Sequence, residues 1–151
     1  MSARSPKLQL DLGELGAFLD AAFPQETRPS LGKLVSVQTG KVRMVLEPTS
    51  GMARPGGIVS GPSLMALVDV AAYAVIAAHH GPVAMAVTNS LSISFLRAAQ
   101  FDPIYADAYL LRLGRRLATV DVRLWQGSEE RLLAQAIVGY VLPDDAGSPM
   151  I

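Results

Sequence analysis

Cysteine is absent from the 151-residue chain, and only 17% of its residues are charged. The lack of thiols excludes a disulfide scaffold, a cysteine nucleophile and metal sites with cysteine ligands. Histidine is almost as scarce, because His79 and His80 are the only two and are adjacent, so we expect no metal site. Thirteen basic residues balance thirteen acidic ones, which gives no electrostatic footprint for nucleic acid or a membrane surface. The N-terminal residues lack a secretory signal, and we expect a cytoplasmic protein.

Hydrophobic residues make up 50% of the chain, enough for the core of a single domain. We expect a flexible N-terminal arm at residues 1–10, one domain at residues 11–142 that begins with a helix, and a tail at residues 143–151. After that first helix, which Pro24 ends, a Val- and Leu-rich stretch from Leu34 to Leu46 is broken at Gly40, which predicts a hairpin.

A long apolar segment follows, from Ser63 to His80, and Asp69 is its only charged residue. The segment is too short and too interrupted for a bilayer span, which needs about 20 apolar residues. Because it is apolar all round, it predicts a helix that is buried on nearly every side.

Beyond Pro82 the hydrophobic period changes to two, which is typical of strands. Val87, Leu91, Ile93 and Phe95 alternate with Thr88 and three serines, and three further strands follow, with short turns at residues 114–116 and 127–128. The sequence therefore predicts an α+β fold in which an antiparallel sheet of five to six strands wraps around a long central apolar helix.

Asp69 is the first candidate for chemistry, because an ionised carboxylate is costly to bury in an apolar helix unless it is paired or faces a cavity. It could face a solvent gap or bond to backbone across an oligomer interface. Alternatively, it could act at the floor of a cleft as a general base or a nucleophile.

The start of the central helix is the second candidate. We expect Gly61 to be its cap and Pro62 its first residue, with the Gly61 N–H and the helix dipole available to negative charge on a substrate oxygen. Gly and Ser also cap many helices that have no such function. Gly61 and Asp69 are about 12 Å apart along a helix, so one carbonyl group cannot touch both in one chain. A catalytic interpretation therefore requires an oligomer, most simply a two-fold dimer.

The segments SGPSLMALVDVAAYAV, TNSLSISFLRAA, GRRLATVDVRLW and LLAQAIVGYVL together resemble a hotdog-fold thioesterase of the phenylacetate-pathway (PaaI-like) type. The resemblance covers roughly residues 34–142. It implies hydrolysis of acyl-CoA thioesters of small to medium acyl groups, with Asp69 as the catalytic carboxylate, the Gly61 amide on the thioester carbonyl and Thr88 orienting the water. The usual His-Gly-Gly motif is Ser60-Gly61-Pro62 here, and Arg54 stands where some members have Asn.

Further candidate substrate-binding residues come from the sequence itself. Asn89 interrupts the apolar face of its strand just after Thr88, which indicates a polar spot near the site. Met65 and Tyr73 are helix residues that could line an acyl pocket, although Tyr73 also fits the core. Ser60 stands at the position of the motif histidine, and Arg97, Arg115 and Arg116 complete the set. The arginines would contact the coenzyme A phosphates, for which Arg offers a fork of donors, although solvated turn and edge residues have the same composition. Coenzyme A would be part of the substrate, with no separate cofactor, and the chain would form a homodimer or a dimer of dimers. A non-catalytic acyl-CoA-binding module is the alternative, and a hotdog dehydratase ranks last because neither histidine is well placed.

Overall fold

The computed structural model describes residues 6–82 and 85–143. Two short 3-10 turns, at Arg28–Leu31 and Ser50–Met52, link the regular elements. In chain order these are α1 (Leu12–Ala22), β1 (Lys33–Gln38), β2 (Lys41–Leu46), β3 (Ala53–Arg54), β4 (Ile58–Val59), α2 (Gly61–His80), β5 (Val87–Phe95), β6 (Ile104–Leu113), β7 (Leu117–Trp125) and β8 (Leu132–Val141).

Six of the strands in the described part of the chain form one antiparallel sheet in the order β1-β2-β6-β7-β8-β5. This confirms the predicted α+β architecture and places β1 and β5 at the two edges of the sheet. The hairpin of β3 and β4 was not predicted, because strands of two residues carry no hydrophobic period. It leads the chain directly into α2.

Helix α2 lies in the concave side of the sheet and packs against β2, β5, β6, β7 and β8. Thirteen of its 20 residues are buried, and alternate residues of the central strands, such as Ala106, Val120 and Ala136, are completely buried on the face toward it. Among the described residues α2 is the one helix long and apolar enough to span a membrane, but 67% of its apolar window is buried inside the protein. Such burial is typical of a core helix, and it agrees with the sequence-based expectation.

Helix α1 begins at a capping box, in which Asp11 and Glu14 each accept a hydrogen bond from the other's backbone N–H. Helical spacing predicts that Leu12, Leu15, Leu19 and Phe23 share one apolar face. Of these, Leu15 and Leu19 are fully buried, whereas Leu12 is exposed. The helix ends before Pro24, as predicted. Phe18 of this helix and Phe23, which follows it, both contact the ring of Tyr73 in the middle of α2.

The end of the predicted N-terminal arm is attached to the domain. The N–H groups of Gln9 and Leu10 both donate to the carbonyl of Ala78, at 2.7 and 3.1 Å, and the Leu10 side chain is buried. The predicted boundary at residue 11 is therefore two residues late, because an apolar side chain precedes the helix cap and packs on α2. Residues 1–5 of the arm and 144–151 of the tail lie outside the described residues.

Candidate active site

Asp69 lies in the middle of α2, on the side of the helix that the sheet leaves partly uncovered. Its side chain is half-buried and lines a cavity of about 300 Å³. The other walls come from the end of α1, from α2 and from β5 and β8, and they are Ala22, Phe23, Val70, Tyr73, Ala86, Val87, Thr88 and Tyr140. The single charge of the apolar helix thus faces a cavity, as a functional carboxylate would.

Two hydroxyl groups hold the Asp69 carboxylate. Thr88 Oγ1 donates to Oδ1 at 2.7 Å, and the Tyr140 hydroxyl donates to the same oxygen at 2.7 Å. The Tyr140 oxygen is also 3.0 Å from the Asp69 backbone carbonyl. The structure thus brings Thr88, which the resemblance gives a role in orienting the water, into contact with Asp69. Tyr140 was not predicted, because in sequence it is an ordinary inward-facing residue of β8.

Burial is the largest cause of a raised pKa at Tyr140, and the negative charge of Asp69 raises that pKa further. Both effects disfavour the phenolate. The hydroxyl therefore keeps its proton through the neutral range and remains a donor to the carboxylate.

Aromatic rings form one wall of the cavity. The rings of Phe18 and Tyr73 stack at 5.7 Å, Phe23 meets Tyr73 edge-on at 5.6 Å, and Tyr73 lies 6.1 Å from Tyr140. Burial raises the pKa of Tyr73 as well. Tyr73 is thus both a core residue and a lining residue, and the contribution of α1 could not be predicted from helical spacing alone.

A β-bulge in β5 decides which side chains of this strand face Asp69. Thr88 pairs with Tyr140 and Ser90 pairs with Gly139, so Asn89 is an additional residue in the strand. Its Oδ1 lies 2.7 Å from the position that a Cβ of Gly139 would occupy, on the outer face of the sheet. Val87 is therefore on the outer face and Thr88 on the inner one, the reverse of the predicted alternation.

The predicted place of Asn89 on the apolar face of its strand is wrong for the same reason. A bulge puts two consecutive side chains on one face of a strand. Asn89 consequently shares the outer face with Ser90 and does not line the Asp69 cavity.

The start of α2 lies one residue earlier than predicted. Ser60 is the cap, since its side chain accepts a hydrogen bond from the Ser63 N–H at 3.4 Å, and Gly61 is the first helical residue. A serine oxygen can satisfy an end N–H, which glycine cannot, so Ser60 takes this role. The Gly61 N–H belongs to the first turn, where the amides have no partner inside the helix.

Gly61 lines a second cavity of about 580 Å³ together with Arg54, Phe95 and Arg97. Among the residues that the structure describes, none lines both this cavity and the one at Asp69. The structure therefore places the two catalytic candidates of one chain in separate cavities, as their spacing along the helix predicts.

The predicted phosphate contacts lie at opposite ends of the sheet. Arg97 follows β5 at the Gly61 end, where its Nη1 donates to the Leu132 carbonyl at 2.7 Å. Arg115 and Arg116 are exposed in the turn between β6 and β7, at the end that holds Thr88 and Tyr140. Met65, one turn before Asp69, is 40% exposed on the open side of α2.

His79 is a structural residue of the core. It is buried, its Nε2 accepts from the Gly40 N–H at 2.9 Å, and its Nδ1 consequently donates to the Val75 carbonyl at 2.7 Å. Both ring nitrogens are used, which leaves the dehydratase alternative without a base at this position. Within residues 6–82 and 85–143 there is no cluster of side chains that could hold a metal ion.

Comparison with known proteins places these features in a family. A profile described as the thioesterase superfamily matches residues 56–133, slightly more than half of the chain. A proposed thioesterase from Silicibacter sp. TM1040 is 34% identical, with 93% of this chain and 96% of that chain covered and a TM-score of 0.82. A proposed thioesterase from Ralstonia eutropha JMP134, described as phenylacetic acid degradation-related, is 26% identical, with coverages of 83% and 98% and a TM-score of 0.73.

Thioesterase superfamily member 2 of zebrafish has the same fold, with 24% identity, coverages of 89% and 100% and a TM-score of 0.78. Among proteins with curated descriptions, none matches the chain. The sheet wrapped around α2 is thus the hotdog fold that the sequence motifs led us to expect.

Proposed function

Since the chain belongs to the thioesterase superfamily, we propose that it hydrolyses acyl-CoA thioesters at a site shared between two subunits. Asp69 of one subunit and the Gly61 amide of the other are the proposed catalytic pair, with Thr88 beside Asp69. The observation that carries this proposal is the Asp69 carboxylate, which lines a small cavity and is held there by two hydroxyl donors.

In the proposed reaction, Asp69 takes a proton from a water molecule, which attacks the thioester carbonyl carbon. Negative charge develops on the carbonyl oxygen, where the Gly61 N–H and the dipole of α2 stabilise it. The carbon–sulfur bond then breaks, coenzyme A leaves as its thiolate, and the proton held by Asp69 returns to the products. These are a carboxylic acid and free coenzyme A.

The separation of the two cavities supports a shared site. In a two-fold dimer, the Gly61 cavity of one subunit and the Asp69 cavity of the other can adjoin, which gives two equivalent sites. Strand β5 is an edge of the sheet, and it carries exposed apolar residues at Val87 and Phe95; Met65 of α2 is exposed as well. Apolar side chains along an open strand edge favour pairing with a second copy.

The size and chemistry of the Asp69 cavity favour a small to medium acyl group. Its volume of about 300 Å³ is at the lower end of the usual range for ligand pockets. Phe23, Tyr73 and Tyr140 give it flat apolar walls, and Met65 is proposed to contact the substrate at the open side of α2. Arg97 of one subunit and Arg115 and Arg116 of the other would then flank the shared site and meet the coenzyme A phosphates.

Ser60 favours a second candidate function, a non-catalytic acyl-CoA-binding module. Its side chain caps α2 and shares a 2.9 Å hydrogen bond with Ser63, so it is occupied where the family motif has a histidine. We propose a cytoplasmic location for either function. The balanced charge of the chain disfavours nucleic acid and a membrane surface as partners.

Release of coenzyme A from a panel of acyl-CoA esters tests the proposal, with wild-type protein compared with Asp69→Asn. We expect turnover by the wild type and a loss of at least about 100-fold in the variant, the usual effect of removing an acid–base group. Asp102→Asn, at an exposed loop carboxylate, is the matched control. Binding of the esters without hydrolysis by the wild type would instead identify the binding module.

Mixing two inactive variants tests the shared site. Gly61→Pro removes the N–H at a helix position that accepts proline, and the extended backbone of Ser60 suits a following proline. When Gly61→Pro and Asp69→Asn subunits re-associate, half of the dimers carry one intact site, so about a quarter of the wild-type activity should return.

Gly61→Ala is the control for this experiment, since it keeps the N–H and its Cβ would lie 3.6 Å from the Phe95 ring, an ordinary contact. It should remain active. An absence of recovery in mixtures that contain verified heterodimers would show that each site is built within one chain.

A further inference from the structure

Tyr140 and Thr88 donate to the same oxygen of Asp69, and this arrangement distinguishes the two carboxylate oxygens. A carboxylate oxygen has about two lone-pair positions, and Oδ1 uses both, each at 2.7 Å. Among the hydrogen bonds of the described residues, none reaches Oδ2. The carboxylate is thus fixed by one oxygen and has the other available.

The single proton of Tyr140 has two acceptors within reach, Oδ1 at 2.7 Å and the Asp69 backbone carbonyl at 3.0 Å. The shorter contact goes to the charged oxygen, which is the stronger acceptor. The ring of Tyr140 is buried and paired with the ring of Tyr73. The hydroxyl is consequently held in place by packing and needs no reorganisation before it donates.

We propose that Tyr140 is a positioning residue for hydrolysis: together with Thr88 it fixes Oδ1 of Asp69, so that Oδ2 is the oxygen that takes the proton from water. This inference rests on the proposed function. It assigns a role to a residue of β8 that acts through Asp69 and does not itself contact the reacting carbon.

Tyr140→Phe tests the proposal, because it removes the hydroxyl and keeps the ring. We expect kcat to fall by about 10- to 100-fold, the effect of losing a hydrogen bond to a charged group, with KM within about twofold. The readout that separates this role from a merely structural one is the loss of kcat without a change in KM, measured per folded enzyme.

Thr88 allows the shared oxygen to be tested. Thr88→Ser, which retains a hydroxyl, should stay within about threefold of wild-type kcat, and Thr88→Val should lose activity. The variant with both Thr88→Val and Tyr140→Phe should lose more than the product of the two single losses, because each hydroxyl partly compensates for the other. Tyr105→Phe, on the outer face of the sheet, is the control and should match the wild type.

A wild-type kcat in Tyr140→Phe, or a loss confined to KM, would overturn the inference. If the wild type hydrolyses no thioester, the proposed function fails and a second measurement decides on the contact itself. The ionisation of Tyr140 is followed by ultraviolet absorbance and assigned by difference from Tyr140→Phe. It should move to lower pH in Asp69→Asn, which removes the nearby charge, and an unchanged titration would show that the two side chains are not in contact.

Discussion

Thr88 donates a 2.7 Å hydrogen bond to Asp69 because the bulge at Asn89 reverses the face on which Thr88 lies. Leu91 and Ile93 face α2, and strict alternation counted back from them would turn Thr88 outward. The additional residue at Asn89 shifts the inward–outward alternation of side chains by one residue, so Thr88 faces inward. The geometry of the carboxylate therefore depends on an irregularity of the neighbouring edge strand.

Gly139 provides the space that this bulge requires. A Cβ at Gly139 would lie 2.7 Å from Asn89 Oδ1 and 3.5 Å from Ser90 Cβ. Gly139→Ala is expected to be tolerated, because the Asn89 carboxamide can swing away. Gly139→Val should push β5 outward, cost about 1–3 kcal/mol of unfolding free energy and lower kcat, as measured by urea unfolding and steady-state hydrolysis.

A second substitution provides the internal check. Asn89→Ala combined with Gly139→Val removes the side chain that the valine would contact, and it should restore part of both the stability and the activity. Ile137→Val, at an exposed outer-face position of the same strand, is the control. If Gly139→Val behaved like the wild type, the described packing of Asn89 on β8 would be wrong.

The bulge also marks the limit of what could be predicted from the sequence. The order of elements follows from hydrophobic period, Gly and Pro, and Asp69 stands out as one charge in an apolar helix. Thr88 was assigned by family resemblance, because its own strand pattern placed it outside. Tyr140 and Phe23 reach the cavity only through tertiary packing of β8 and α1 on α2. The hydrophobic periodicity within one element does not predict such packing.

The raised pKa of Tyr140 predicts a loss of stability at alkaline pH. An unfolded tyrosine ionises near pH 10, whereas burial and the charge of Asp69 raise the pKa in the folded protein well above that value. The fold thus favours the protonated form, so this contribution to stability is complete below about pH 10 and is lost as the pH rises beyond it. Urea unfolding at pH 8 to 11 should show a steeper loss for the wild type than for Tyr140→Phe.

Asp69→Asn refines the alkaline experiment. It removes the part of the shift that is due to charge and leaves the part that is due to burial, so its alkaline loss should lie between those of the wild type and Tyr140→Phe. Parallel stability curves for all three proteins would contradict the assigned environment of Tyr140.

The arginines at the two ends of the sheet make a prediction about the substrate. If Arg97 and the pair Arg115 and Arg116 meet the coenzyme A phosphates, alanine at these positions should raise KM for acyl-CoA by up to about tenfold. KM for the matching N-acetylcysteamine thioesters, which lack the nucleotide, should not change. Arg123→Ala is the control, because this arginine is exposed and pairs with Asp121 on the outer face. Equal effects on both kinds of ester would show that Arg97, Arg115 and Arg116 do not bind the phosphates.

His79 and His80 are adjacent and differ sharply in environment, which allows a matched test of the core. His79→Phe removes the acceptor of the Gly40 N–H in the hairpin turn and should cost about 1–3 kcal/mol of unfolding free energy. His80 is half-buried at the end of α2, and His80→Phe should change the free energy of unfolding by about 0.5 kcal/mol or less. Urea unfolding measures both free-energy changes. Because neither ring belongs to the site, kcat per folded enzyme should be the same in both variants. A selective loss of kcat in His79→Phe would instead require a role for this histidine in the reaction.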